Sequence, residues 1–176
     1  MAVETEAEAQ KMTTHAAKLA ALWEQSSRAD RAVLPMADRH YNRQKPGTPQ
    51  FVPPGRCLVL KRPGALWVTS WPFPEFVKHE WAGAWINSMF RREYGPLASD
   101  LIRSAIAVTR WRWPTVPDLG LVSFVDAAKV KHKRDPGRCY RKAGFRHVGF
   151  TKGGLWVFQM LPLDMPEPMQ PLGVLI

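Results

Sequence analysis

Apolar residues first recur at helical spacing near the N-terminus. Met12, Ala16, Leu19 and Trp23 stand three or four positions apart, with Glu, Lys and Gln on the other faces. The spacing predicts a helix over residues 4–29. From 30 to 55 the pattern is lost. Pro35, Pro46, Pro49, Pro53 and Pro54 break helix and central strand alike, so a helix remnant near 30–42 and then a loop are expected. Two β-rich runs, Cys57-Leu58-Val59-Leu60 and Ala65-Leu66-Trp67-Val68-Thr69-Ser70, flank Pro63-Gly64 and predict a hairpin closed by Pro72 and Pro74. Residues 81–90 predict a longer strand, broken at Tyr94-Gly95-Pro96. Leu97, Leu101, Ala105 and Val108, widened by Ile102 and Ile106, predict a helix over 97–110. Its first turn holds Ser99 and Asp100, which suit an N-terminus. Then follow a strand at 121–125, a short helix at 138–143 that stops at Gly144, and strands at 145–150 and 155–160 joined through Gly153-Gly154.

This order of strands with single interposed helices predicts an α+β fold, an α/β sandwich with one central sheet. The chain's 176 residues suit a single domain, read here as 1–161, with a Pro-rich tail over 162–176 extended on the surface. Cys57 and Cys139 are too few for a disulfide framework or a Cys-rich zinc site. No apolar run approaches the ~20 residues of a membrane span. The first residues are acidic (Glu4, Glu6, Glu8), the reverse of a signal peptide's start. The expectation is a cytoplasmic protein with no membrane partner.

Charge sharpens the picture. The net is +10, and most of the excess lies between residues 128 and 152, where nine Lys and Arg face one acid, Asp135. A field of that density attracts a polyanion, either nucleic acid or a phosphate-bearing cofactor. Lys129, Lys131, Lys133, Arg134 and Arg138 are the candidates for gripping DNA phosphates. Trp111-Arg112-Trp113 alternates aromatic and cation, a pattern that either stacks bases or packs as core.

Two stretches carry candidate chemistry. The strand at 81–90, the break at 92–98 and the helix at 97–110 form a unit in which helix N–H groups can face a phosphate, with Arg91 and Arg92 beside them. The second stretch, Arg138-Cys139-Tyr140-Arg141-Lys142-Ala143-Gly144-Phe145-Arg146-His147-Val148-Gly149, resembles the late motif of the GNAT (Gcn5-related N-acetyltransferase) superfamily. There a short helix carries a tyrosine, a glycine ends it, and Gly-Phe leads into the next strand. The element order agrees over roughly residues 10–160. The resemblance implies a GNAT-like central mixed, mostly antiparallel sheet flanked by helices. It also implies an acetyl-CoA or related acyl-CoA donor. The strand at 81–90 would hydrogen-bond the pantetheine arm, the loop at 91–98 would hold the pyrophosphate, and Tyr140 would protonate the departing thiolate. The implied cofactor-binding set is Asn87, Ser88, Phe90, Arg91, Arg92, Gly95, Ala98 and Ser99. The family's loop reads Arg/Gln-x-x-Gly-x-Gly/Ala. Arg92 and Gly95 match it, but Leu97 stands at the last position, Ala98 follows one residue later, and Pro96 removes a backbone donor.

His40-Tyr41, Val122-Ser123-Phe124-Val125-Asp126 and Pro136-Gly137-Arg138-Cys139-Tyr140 further resemble phage-encoded GNAT-like proteins, among them the Mom-type enzymes that alter the exocyclic amine of adenine in DNA and block host restriction. That resemblance implies an active site containing His40, Tyr41, Ser123 and Asp126. Acyl transfer needs an amine base, an oxyanion donor and an acid for the sulfur. Backbone N–H groups near Asn87 and Ser88 suit the oxyanion. Arg138, Arg141 and Lys142 are expected to favour the Tyr140 phenolate. Each residue has a plainer alternative: Tyr140 as core, Asp126 as a turn cap, His40 as a loop residue. His40 and Asp126 alone do not define a metal site, and the sequence is silent on iron or another metal. Three functions are carried forward: a phage-type enzyme modifying a DNA base, an ordinary N-acetyltransferase for a small-molecule or protein amine, and a non-catalytic DNA-binding protein.

Overall fold

The computed structural model describes residues 2–52, 54–130 and 135–171. In chain order the elements are α1 (Ala2–Ala21), β1 (Glu24–Ser26), α2 (Leu34–Asp38), β2 (Arg56–Arg62), β3 (Ala65–Trp71), β4 (Trp85–Arg92), α3 (Ala98–Arg112), β5 (Leu121–Val125), α4 (Arg138–Ala143), β6 (Arg146–Phe150) and β7 (Trp156–Met160). The fold is α+β. The strands form one open seven-stranded sheet in the order β1-β2-β3-β4-β5-β7-β6. Every pair is antiparallel except β4 with β5. That parallel pair needs a crossover, and α3 supplies it.

The predicted hairpin is present, with Leu60 opposite Trp67 and Arg62 opposite Ala65 around the turn. Two boundaries differ from the sequence reading. The first helix ends at Ala21, where Leu22 N–H bonds to Leu19 O and Trp23 N–H to Ala20 O. Glu24, Gln25 and Ser26 then pair with Lys61, Leu60 and Val59. Such a short edge strand leaves no alternation to read, and its residues suit a helix as well. Residues 81–84 form a turn, closed by Ala84 N–H to Trp81 O, so the fourth strand begins at Trp85 and reaches Arg92.

One face of the sheet carries the main core. Leu101, Ile102, Ala105, Ile106 and Val108 of α3 are fully buried against Leu60, Trp67, Trp85 and Leu121. Each buried Leu, Ile or Val side chain contributes about 1.5–3 kcal/mol relative to exposure. Trp23 is fully buried in the same core, and its indole N–H donates to Ser104 Oγ at 2.8 Å. Residues 162–171 also join this side. Met165 is buried, Met169 N–H bonds to Ala107 O, and Arg110 Nη1 donates to Pro166 O at 2.6 Å. On the opposite face Val33, Ala37, Phe51 and Val52 cover Val59, Leu66, Val68 and Met89. Trp81 and Ala84 cover Val122 and Val157. Among the described residues no helix is long and apolar enough to cross a membrane.

Candidate functional site

The site begins with a defect in pairing. Val68 of β3 faces Met89, but Thr69 faces Asn87, so Ser88 is the extra residue of a β-bulge. Asn87 brackets it, its Nδ2 donating to Val68 O at 3.1 Å and to Met89 O at 3.0 Å. Ser88 Oγ donates to Ser70 Oγ at 2.6 Å. On the other edge β4 pairs with β5 only through Trp85, Ile86 and Asn87, opposite Leu121, Val122 and Ser123. Beyond Asn87 the two parallel strands part. Among the described residues, 88–92 have β3 on one side and no strand on the other.

Tyr140 enters this gap from α4. The helix starts at Gly137, whose φ is 77° and where a Cβ would lie 2.1 Å from the Phe158 ring, so no side chain fits there. It ends at Gly144, also left-handed, and Phe145 N–H bonds back to Tyr140 O. The Tyr140 ring stacks on Phe158 at 5.9 Å and meets Phe145 and Phe90 edge-on. Its hydroxyl donates to Asn87 Oδ1 at 2.8 Å, and Ser123 Oγ donates to the same oxygen at 3.2 Å. Burial raises the Tyr140 pKa well above the ordinary phenol value, and the neighbouring Cys139 and Tyr41 add to the rise. This corrects the expectation of a phenolate favoured by nearby cations. Arg138 and Lys142 are exposed, and Arg138 and Arg141 both pair with Asp135. Successive helix positions point in different directions, so these charges do not accompany the hydroxyl inward.

His40 and Tyr41 follow α2 and roof the gap. Their rings stack at 4.6 Å, and His40 Nδ1 accepts the Asn42 N–H. Arg43 shapes this loop, donating to Asp38 Oδ1 at 2.7 Å and to the Gln50 and Thr48 carbonyls at 2.9 Å. Its hydrogen bonds, with that of Gly47 N–H, hold the Asp38 carboxyl below its usual value. Although Tyr41 is 37% exposed, burial at its hydroxyl raises the phenol; a hydrogen bond from the Asp126 backbone opposes this.

A cavity of about 570 Å³ results. His40, Tyr41, Asn87, Ser88, Phe90, Ser123 and Tyr140 all line it, so seven residues named from sequence converge from four places in the chain. Asp126 stands just beyond. Its Oδ1 accepts the Ala128 and Lys129 N–H groups at 3.1 and 3.2 Å, and Lys129 Nζ lies 3.8 Å from Oδ2. The turn-capping alternative is therefore realised.

The remaining cofactor candidates, Arg91 and Arg92 at the end of β4 and Gly95, Ala98 and Ser99 beyond it, lie outside the cavity. Arg91 donates to Arg39 O and to Glu93, and Arg91 and Arg39 hold the Glu93 carboxyl below its usual value. Arg92 turns onto its own loop, donating to Pro96 O at 2.6 Å and Gly95 O at 2.8 Å. No side chain caps the α3 N-terminus at Leu97; Ala98 and Ser99 begin the helix, and Asp100 in the first turn lies 3.8 Å from His15. Arg62 was not singled out from sequence. Its Nη2 is 3.9 Å from where a Cβ would stand on Gly95, and its buried Nε and Nη1 have no hydrogen-bond partner among the described residues. Burial lowers its pKa.

The nucleic-acid candidates separate. Trp113 is 4% exposed and packs on Trp71 and Trp85 at 5.9 and 5.8 Å, with the Arg56 guanidinium over Trp71 and Trp113. It is core, which corrects its reading as a stacking platform. Trp111 is half-buried and Arg112 exposed at the end of α3. Lys129 and Arg138 are exposed, while Lys131, Lys133 and Arg134 lie outside the described residues. The turns at Gly95 and at Lys129 leave the C-terminal ends of the two parallel strands, so they share one end of the sheet. Ligands of sheets with parallel strands favour that end. Among the described residues no group of three or more His, Cys, Asp or Glu is placed to hold a metal ion. No protein-family model, curated protein or solved structure matches this chain.

Proposed function

We propose that the chain is a GNAT-like, Mom-type enzyme that transfers an acyl group from a coenzyme A thioester to a base in DNA. The observation that carries the reading is the convergence of Tyr140, Asn87 and Ser123, under His40 and Tyr41, where β4 and β5 part. The unpaired edge of residues 88–92 offers main-chain donors and acceptors to an extended amide-bearing arm. The uncapped N-terminus of α3 fits the phosphates that follow such an arm. Pro96, which lacks an N–H, and Asp100 in the first turn act against that fit.

When bound, the thioester supplies an activated acyl carbon and a thiolate leaving group. The chain's residues position and polarise. The Tyr140 hydroxyl, protonated at neutral pH, is a hydrogen-bond donor; its raised pKa makes it a weak source of a free proton. To serve the sulfur it exchanges its bond to Asn87 Oδ1, which Ser123 continues to satisfy. With a thioester held there, the acyl group would pass from its sulfur to the acceptor nitrogen, and the proton lost by the amine would reach the departing thiolate through solvent. His40 Nδ1 and the Asp126 carboxylate are both engaged with main-chain N–H groups and hold the roof and its adjoining turn.

The test is thiol release from acetyl-CoA by purified protein, with single-stranded DNA or a polyamine as acceptor. Release with DNA, abolished in Tyr140→Phe, is the expected result. Release with polyamine alone favours the ordinary N-acetyltransferase. Salt-sensitive DNA binding without turnover favours the non-catalytic reading.

A further inference from the structure

A second cavity, about 650 Å³, opens on the other side of Phe124, whose ring lines both. Its wall is aromatic. His79 lies 5.1 Å from Phe124 and 6.0 Å from Trp81, and Trp81 lies 6.2 Å from Phe124. Phe150 lines the opposite strand edge; it is 56% exposed yet braced edge-on by Trp156 at 5.9 Å. The rim holds Lys78 and Lys152 against one acid, Glu80.

An exposed aromatic ring on an edge strand has no role in the core. Aromatic rings lining a pocket with lysines beside them match a flat π-system carrying negative charge. An aliphatic amine or polyamine would gain nothing from the lysines. A folded protein surface would need a larger apolar patch than these few rings.

We propose that this pocket is a nucleobase-stacking subsite. It holds one nucleotide of a single-stranded or flipped-out DNA segment, one aromatic wall away from the transfer cleft, with Lys78 and Lys152 on its phosphates. The proposal rests on DNA being the substrate and deepens that reading. It gives the enzyme a way to grip a base flanking the target, and so a source of sequence-context preference. It also replaces the Trp113 platform, since the stacking surface lies on β5 and the β6–β7 hairpin instead.

The experiment is a fluorescence-anisotropy titration of a labelled single-stranded oligonucleotide with the full chain at several salt concentrations. Phe150→Ala is expected to weaken binding at least about five-fold, the low end of one base–aromatic stack. Phe150→Trp is expected to retain it. Lys78→Ala with Lys152→Ala is expected to weaken binding and flatten the salt dependence by about one to two in the log–log slope. All three sites are on the surface, so unchanged melting curves exclude misfolding. If the wild type binds and the variants bind equally well, the subsite is overturned and DNA as substrate stands. If the wild type does not bind the oligonucleotide, both fall.

Discussion

Tyr140 is the residue on which the proposed chemistry turns. Its hydroxyl donates to Asn87 Oδ1, which also accepts from Ser123, and Ser123 hydrogen-bonds to the Tyr140 oxygen as well. Tyr140→Phe therefore leaves no buried oxygen unsatisfied. It is expected to cost only ~1 kcal/mol in a denaturant melt while lowering turnover by about 10² or more. A variant that melts like the wild type and turns over at the same rate would remove Tyr140 from the site. Sequence made Tyr140, Ser123 and His40-Tyr41 legible because their motifs name residue types that do chemistry. It left Asp126 between a base and a turn cap, since the same carboxylate serves either, and only the N–H groups of Ala128 and Lys129 decide. Arg43 and Arg62 were not legible. Arg43 builds the loop over the cleft and Arg62 underlies the Gly95 turn, and both roles depend on neighbours brought together by the fold.

Among the elements, β4 decides where a ligand fits. The run at 81–90 announced a strand, but a bulge at Ser88 leaves no mark in a hydrophobic pattern, because it is a property of two strands' registers. Asn87 holds that bulge with four hydrogen bonds, two to β3 and β4 carbonyls and two from Ser123 and Tyr140. Asn87→Ala strands buried partners and is expected to cost roughly 2–4 kcal/mol by chemical denaturation; a loss under 1 kcal/mol would contradict this role. The edge strand β1 was missed for a related reason: Glu24, Gln25 and Ser26 bear no strand pattern, and their placement comes from pairing and from the Asp30–Lys61 bond beside it. Lys61 and Ser26 hydrogen bonds, with the Ala32 N–H, hold the Asp30 carboxyl at about 2. A lowered carboxylate stabilises the fold fully above its unfolded value near pH 4. It loses that contribution as pH falls through its folded value near 2. Asp30→Asn is thus expected to be less stable than wild type at neutral pH, with the gap closing between pH 4 and 2. A gap independent of pH in that window would refute the assignment.

At the scale of the whole molecule, charge and core have been sorted by folding. The basic segment that dominated the composition follows β5, at the sheet end where the Gly95 turn also lies, but Asp135 occupies Arg138 and Arg141. Composition reports the sum of charges and cannot report their pairing. The same holds for tryptophan. Eight were countable, yet Trp113 belongs with Trp71 and Trp85 in the core. Trp113→Ala is expected to cost about 3–5 kcal/mol in thermal or chemical unfolding while leaving the DNA affinity of the folded protein unchanged. Equal stability with weakened DNA binding would return Trp113 to the surface. The most direct test of base modification in the β4–β5 cleft is mass spectrometry of nucleosides from DNA of cells expressing the protein. The wild type is predicted to produce a nucleoside of increased mass that is absent from cells expressing Tyr140→Phe. Identical nucleoside spectra from wild-type and empty-vector cells, with the protein folded and abundant, would contradict it.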